Sequence, residues 1–269
     1  MVNYGFILVP LYIYPYPLSL WQPLFNVAAS YPNVTFQAVI NVDNGPGATN
    51  CPNSDYAPAM VALNSHPNIK TLGYIHSANK YNCGAGQDIC PCTQPLSALK
   101  ANITKYQNWN TANCGTGDYH IDGIFLDESP SDGANITYMK NATAFAKSTL
   151  TRGNTVLFNA GEAVNSTYWS IADYINVFED TEANYDIADI GSLDGQGAYH
   201  AQTTLILYSY TDGSSIMQRD VNTILGVTHD AMAGLYITDL DVYNRFPTNF
   251  TGFVSLVNAV NKANKAVIG

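Results

Sequence analysis

Eight short apolar runs recur along the chain of 269 residues, and a polar or acidic residue closes each of them. The runs are rich in β-branched and aromatic residues, which is typical of strands buried on both faces. Their predicted limits are Phe6–Ile13, Thr35–Val42, Thr71–Ile75, Gly123–Leu126, Thr155–Phe158, Tyr174–Phe178, Thr203–Tyr208 and Gly234–Thr238. We expect helices between many of these strands, at Ser19–Ser30, Pro95–Trp109, Ala134–Leu150, Ser214–Thr228 and Thr251–Ala266.

Eight strands that alternate with helices predict an α/β fold, a (β/α)8 or TIM barrel. The length suits one such barrel and no linker interrupts the pattern, so we expect a single domain over residues 1–269. A doubly wound open sheet is the alternative, and it usually has a glycine-rich phosphate-binding turn after its first strand. Here the first strand is followed by Tyr14-Pro-Tyr-Pro17 instead.

Charge and hydropathy exclude several classes of partner. The net charge is −10, and no lysine or arginine precedes Lys70. A nucleic-acid-binding protein needs a basic face, and so does a protein that binds an anionic membrane surface. No apolar stretch reaches the roughly 18 residues of a membrane-spanning helix. We therefore expect no nucleic-acid partner. We also expect no cofactor and a protein that acts as a monomer.

Sequons and cysteines both indicate an oxidising, secretory compartment. Two disulfides and one free thiol are the simplest use of the five cysteines, and their spacing does not reveal the pairing. We expect a secreted or cell-wall-associated protein whose signal segment is absent from this chain. The six N-glycosylation sequons begin at Asn33, Asn102, Asn135, Asn141, Asn165 and Asn249, and the cysteines are Cys51, Cys83, Cys90, Cys92 and Cys114.

Carboxylates follow two of the predicted strands directly. Asp127 and Glu128 come after the fourth strand, and Glu179 with Asp180 comes after the sixth. Because the carboxyl ends of barrel strands form the active-site face, these groups should meet at one mouth. Two facing carboxyls are the minimal equipment for glycoside hydrolysis. The alternative is that each acid caps the helix that follows it.

Other strand ends deliver groups that suit a sugar. Phenol rings can stack on the apolar faces of sugar rings, and amides and carboxylates can bond their hydroxyls. His76 is either a general base or a hydrogen-bonded histidine of the rim. No metal triad and no Gly-x-Ser-x-Gly elbow is visible. The predicted substrate-binding residues are Tyr12, Asn41, Tyr74, His76, Asn159, Tyr208 and Asp239.

At these strand ends the sequence resembles the spherulin-4 family, which is grouped as glycoside hydrolase family 135. The similarity extends from the first strand to Tyr236-Ile-Thr-Asp239, and the order and spacing of the segments carry it. The segments are Ile7-Leu-Val-Pro-Leu-Tyr12, Val39-Ile-Asn41 with Gly45-Pro-Gly47, Gly73-Tyr-Ile-His76 and Gly123-Ile-Phe-Leu-Asp127-Glu128.

The resemblance implies a (β/α)8 barrel that hydrolyses internal α-1,4-linked N-acetylgalactosamine bonds in fungal galactosaminogalactan. It implies three catalytic carboxylates, Asp127, Glu128 and Glu179, and a retaining mechanism. Asp127 would then be the nucleophile, Glu179 the acid/base, and Glu128 a supporting group. The loop Lys80–Gln94 holds three cysteines and departs from the expected pattern. A non-catalytic carbohydrate-binding or spore-wall protein on the same barrel is the alternative.

Overall fold

Eight parallel strands form one closed barrel in the computed structural model, which describes residues 4–77, 94–185 and 199–268. Each strand pairs with its neighbour in chain order, and the pair Phe6 and Gly234 closes the barrel between the first and last strands. The predicted TIM barrel is confirmed. The strands are β1 Phe6–Leu11, β2 Phe36–Ile40, β3 Ile69–His76, β4 Gly123–Asp127, β5 Thr155–Asn159, β6 Tyr174–Thr181, β7 Thr203–Tyr208 and β8 Gly234–Ile237.

Helices surround the sheet. Those described are α1 Gln22–Ser30, α2 Tyr56–Asn64, α3 Leu96–Thr111, α4 Ile136–Thr149, α5 Ser214–Leu225 and α6 Phe250–Ile268. The helix α2 was not among the predicted helices, and its third residue is Pro58. Proline is tolerated in the first turn of a helix, where its missing N–H has no intrahelical partner. The Asn53 side chain accepts from the backbone N–H groups of Asp55 and Tyr56 and so begins this helix.

Two predicted strand limits were wrong in a way that matters for the site. The first strand ends at Leu11 instead of Ile13, so Tyr12 lies on the loop that follows it. The sixth strand continues past Phe178 to Thr181 and includes Glu179. Glu179 therefore has a backbone held by strand pairing on β7.

The core fills the barrel and the layer between sheet and helices. Strands β1 and β2 are buried at every position, as strands covered on both faces should be. Gly73 in β3 leaves room for the Tyr106 ring of α3, since a Cβ atom there would lie 2.6 Å from that ring. The Tyr106 hydroxyl donates to the backbone oxygens of Ile40 and Tyr74. This helix thereby holds the carboxyl ends of β2 and β3.

A disulfide joins Cys51 and Cys114. The other three cysteines belong to the segment 78–93, which lies outside the described residues. Among the sequons, Asn135 is buried and donates to Asp132, whereas Asn33, Asn141, Asn165 and Asn249 are exposed. No helix within the described ranges is long and apolar enough to cross a membrane.

Candidate active site

Asp127 and Glu179 face each other across the mouth of the barrel and share one hydrogen-bond donor. The Asn159 Nδ2 donates to Asp127 Oδ1 and to Glu179 Oε2, each at 2.7 Å. These two oxygens are therefore at most 5.4 Å apart, twice the 2.7 Å of each bond. Retaining glycosidases hold their two carboxyl groups about 5–5.5 Å apart, and inverting enzymes hold them about 6.5–9.5 Å apart. The arrangement fits retention.

A tyrosine hydroxyl binds the second oxygen of each carboxylate. Tyr74 donates to Asp127 Oδ2 at 2.5 Å, and Tyr243 donates to Glu179 Oε1 at 2.6 Å. Burial and the negative charge of the accepting carboxylate raise the pKa of both phenols far above the usual value. Each phenol therefore keeps its proton at physiological pH and remains a neutral donor.

An extra residue in β6 turns Glu179 toward the mouth. Residues three apart in a regular strand point to opposite faces. Asn176 and Glu179 nevertheless both bond to Asn159. The register against β7 shifts between Asn176 and Phe178, which leaves Val177 as a β-bulge. Bulges next to active sites redirect a side chain in this way.

The surroundings of Glu179 suit a proton donor. Burial raises the pKa of its carboxyl above the usual value, and the charge of Asp127 adds to that increase. The hydrogen bonds from Tyr243 and Asn159 act in the opposite direction, but the increase prevails. A carboxyl with a raised pKa can protonate a leaving oxygen near neutral pH. Of the two facing carboxyls, Glu179 is the one whose pKa is raised.

Glu128 lies beside this pair in a left-handed backbone conformation, with φ of 47°. Such strain in a residue other than glycine persists only where the surroundings enforce it. The Ser77 backbone N–H and hydroxyl both donate to the Asp127 carbonyl, and the Ser129 hydroxyl donates to the Leu126 carbonyl. This bonding secures the turn and places the Glu128 carboxylate 3.5 Å from His76 Nε2.

The capping alternative for Asp127 and Glu128 is wrong. Helix α4 begins eight residues beyond Glu128 and follows a short 3-10 turn, Gly133–Asn135. Asp132 is the residue that caps this turn, and its side chain accepts from the backbone N–H of Ala134. Asp127 and Glu128 therefore do not cap the helix that follows β4.

The structure brings most of the predicted binding residues to the mouth, at different distances from the carboxylates. The Tyr12 ring packs edge-on against Tyr74 and Tyr243, and its hydroxyl has a raised pKa through burial and the charges of the Asp127 and Glu179 carboxylates. His76 Nε2 is 4.0 Å from Asp127 Oδ2. Tyr12 and His76 thus both lie near the Asp127 carboxylate.

Three other predicted residues lie further out. Tyr208 donates to Asp180 at 3.3 Å, and the charge of Glu179 contributes to the raised pKa of its phenol. The Asn41 side-chain oxygen is buried without a hydrogen-bond partner in the described part of the chain. Asp239 accepts from the Thr248 backbone N–H at 3.0 Å and hydroxyl at 2.7 Å. Asp239 thus fixes the loop 240–248 rather than facing the carboxylates.

Sequence reasoning missed Tyr243 and Asn176. Tyr243 lies in the loop after β8, well beyond the strand end where we looked for site residues. In the sequence, Tyr243 is only one aromatic residue in a polar loop, which does not mark it as a site residue. Asn176 had a clearer signal, since it is a polar residue within the apolar run Tyr174–Phe178. A buried amide in a strand requires partners, and here they are Asn159 and Thr204.

Within ranges 4–77, 94–185 and 199–268, no group of three or more histidine, cysteine or acidic side chains is arranged to hold a metal ion. The chemistry that these residues offer is acid/base and nucleophilic catalysis by carboxylates.

The family model for Spherulation-specific family 4 matches residues 6–257. Spherulin-4 from Physarum polycephalum is 28% identical over 239 residues, which are 87% of this chain and 63% of that protein. The chain therefore spans less than two thirds of the length of that curated relative.

Two solved structures are similar to the barrel. Sph3 from Aspergillus clavatus, crystallised in complex with GalNAc, superposes with a TM-score of 0.80 and is 26% identical, covering 95% of this chain and 98% of that one. A chitinase from Bacteroides thetaiotaomicron has a TM-score of 0.57 at 11% identity, covering 96% of both chains. The likeness to the chitinase concerns the fold alone.

Proposed function

The chain belongs to Spherulation-specific family 4 and is a carbohydrate-active protein on a glycoside-hydrolase barrel, and we propose that it is an endo-acting hydrolase of α-1,4-linked N-acetylgalactosamine polymers. The observation that carries this proposal is the Asp127–Asn159–Glu179 bridge at the mouth. The substrate class is supported by the family and by the GalNAc bound to the similar Sph3.

The proposed reaction has two steps. Asp127 attacks the anomeric carbon while Glu179 transfers its proton to the departing glycosidic oxygen. Glu179, now a carboxylate, then removes a proton from water, and that water displaces Asp127 from the anomeric carbon. Two displacements restore the α configuration.

A carboxylate nucleophile suits this linkage for a geometrical reason. In an α-linked 2-acetamido sugar, the acetamido group and the leaving oxygen lie on the same side of the C1–C2 bond. The acetamido oxygen cannot reach the rear of the anomeric carbon, so the enzyme must supply the nucleophile. The Asp127 carboxylate can do so, because Tyr74 and Asn159 hold both of its oxygens without carrying charge.

The remaining mouth residues would bind the sugar. Tyr12 offers a hydroxyl beside the pair, and His76 with Glu128 offers a second polar edge. We place Asn41, Tyr208 and Asp239 in the outer binding region or its support. We also propose that residues 1–269 act as one secreted, monomeric catalytic domain, in keeping with the disulfide between Cys51 and Cys114. A net charge of −10 would attract a partly de-N-acetylated, cationic polymer.

The test is the release of reducing ends from purified galactosaminogalactan by wild type and by Glu179→Gln. We expect release by the wild type alone, with the thermal unfolding of both proteins two-state and similar. Saturable binding of the polymer without release by the wild type would instead support the non-catalytic, spore-wall function. Equal release by both proteins would remove Glu179 from the mechanism.

A further inference from the structure

A chain of buried polar side chains runs from inside the barrel to the two carboxylates. The Thr204 hydroxyl donates to Asn176 Oδ1 at 3.3 Å, and Asn176 Nδ2 donates to Asn159 Oδ1 at 2.7 Å. Thr204 and Asn176 are fully buried, so neither can touch the substrate. A buried amide is costly unless its hydrogen bonds are made, and replacement by an apolar residue would avoid that cost. Stability alone therefore does not explain why these buried side chains are polar.

The carboxylates fix the direction of each bond, because an ionised carboxylate can only accept. The Asn159 NH2 group therefore faces Asp127 and Glu179, and its carbonyl accepts from the Asn176 NH2 group. The Asn176 carbonyl then faces Thr204, whose hydroxyl donates to it. A rotated Asn159 amide would direct its carbonyl oxygen at two carboxylates and would lose both donations.

Strand pairing fixes the same two residues. Asn176 and Thr204 are directly paired between β6 and β7, and the bulge at Val177 follows immediately. This pair is thus the last regular step before the strand turns Glu179 into the mouth. The hydrogen bond from Thr204 to Asn176 joins this pair. The orientation of the Asn159 amide is therefore coupled to the strand pairing next to the bulge.

We propose that Thr204 and Asn176 are positioning residues that act through Asn159 to hold Asp127 and Glu179 at the separation required for retention. The proposal rests on the proposed hydrolase function for its catalytic consequence. Its structural consequence can be measured without turnover, in the ionisation of Glu179.

The titratable groups that face Glu179 come from five elements, and the variants below alter none of them. The Asn159 hydrogen bond lowers the pKa of Glu179, so a freely rotating Asn159 should let that pKa rise. The facing groups are Asp127 of β4, Tyr12 after β1, Tyr74 of β3, Tyr208 of β7 and Tyr243 after β8.

The experiment compares Thr204→Val with a matched control one residue away. Thr203→Val also removes a buried hydroxyl from β7, but the Thr203 hydroxyl donates to the Tyr199 carbonyl instead of to the polar chain. Thr204→Ser keeps the hydroxyl and should restore wild-type behaviour. Asn176→Leu removes the donor to Asn159 and is the stronger variant. The probe is the ¹³C carboxyl shift of Glu179 against pH, together with kcat and KM on galactosaminogalactan.

We expect Thr204→Val to raise the pKa of Glu179 and to lower kcat about tenfold with KM unchanged. Asn176→Leu should lower kcat about a hundredfold, as misplaced catalytic groups do. Thr203→Val and Thr204→Ser should match the wild type in both readouts. If Asn176→Leu does not fold, Thr204→Val alone decides.

The inference is overturned if Glu179 titrates identically in Thr204→Val and Thr203→Val. It is also overturned if both variants lose the same fraction of kcat, because the effect would then be general loosening of β7. If the wild type releases no reducing ends but Glu179 still titrates higher in Thr204→Val, the proposed substrate fails and the positioning role stands.

Discussion

An aspartate lies at each end of strand β4, and the two carboxylates differ in the charge of the groups around them. Asp122, just before the strand, lies 3.7 Å from His120 Nε2 and accepts from the Thr71 backbone N–H. Among the described residues, the side chain of Asp127, the last residue of the strand, accepts from the neutral groups of Tyr74 and Asn159, and His76 Nε2 lies 4.0 Å away. At the amino end of β4 the carboxylate lies beside a histidine, and at the carboxyl end the carboxylate is held by neutral donors.

The rest of the amino end follows the same pattern. Asp118 accepts from His120 at 2.6 Å and lies 3.6 Å from Arg152, and Asp173 pairs with Lys147 at 2.6 Å. In the described part of the chain, lysine and arginine pair with four aspartates, and none of these is Asp127. Glu179 has no such cation either. A carboxylate held by neutral donors stays fixed in position but available for reaction.

The first test, in which we expect the largest effect, replaces the carboxylate at each end of β4 with an amide, one at a time. We expect Asp127→Asn to lower kcat/KM by about 10³-fold or more, because it removes the proposed nucleophile, with little change in Tm. Asp122→Asn should leave kcat/KM within about twofold and should lower Tm by about 2–4 °C, from the loss of about 1 kcal/mol of bonding. Kinetics and thermal unfolding on both variants measure this. Equal losses of activity in the two variants would mean that the carboxylates at the two ends of β4 do not differ in function.

The second test removes one neutral donor from the mouth. Tyr243→Phe deletes the hydroxyl that donates to Glu179, and that bond lowers the pKa of Glu179. We expect the alkaline limb of the kcat/KM pH profile to move to higher pH, with about a tenfold loss of kcat. The control is Tyr168→Phe, whose hydroxyl donates to the Asp132 carbonyl away from the mouth. An unmoved alkaline limb in Tyr243→Phe would contradict the account.

The third test concerns the pH dependence of stability at the amino end. Bonding to Asp122 raises the pKa of His120, and Asp118 adds to the increase. The stabilisation is complete below the unfolded pKa of about 6.5 and is lost as the pH rises through the folded value. We expect His120→Gln to lower Tm most near pH 5–6 and progressively less above neutrality, with kcat unchanged. A Tm difference that grows with pH would reverse the sign and refute this assignment.

The smallest effect is expected at the half-exposed pair of Lys147 and Asp173. Surface ion pairs contribute about 0–1 kcal/mol and weaken with salt. Lys147→Met should therefore lower Tm by no more than about 2–4 °C at low salt, and by less at 1 M salt, with no change in activity. A measurable loss of kcat in this variant would show that the two ends are coupled.

The eight strands could be predicted because each is a short apolar run that can be recognised locally. The barrel could be predicted because each strand pairs with its neighbour in chain order. The acids at Asp127, Glu128 and Glu179 could be placed at one end for the same reason. The bulge at Val177 could not be predicted, since it depends on pairing with a strand that begins 26 residues later, at Thr203. Tyr243 was missed because the contact depends on how Asp239 and Thr248 fold the loop back over the mouth.

The central claim is that the Asp127 and Glu179 carboxylates, joined through Asn159, perform hydrolysis with retention. The most direct measurement is ¹H NMR of the anomer first released when the wild type digests galactosaminogalactan, before mutarotation. The account predicts the α anomer first, with the β anomer appearing only later. Release of the β anomer first would mean inversion, and it would contradict a catalytic pair held within 5.4 Å by two 2.7 Å bonds to Asn159.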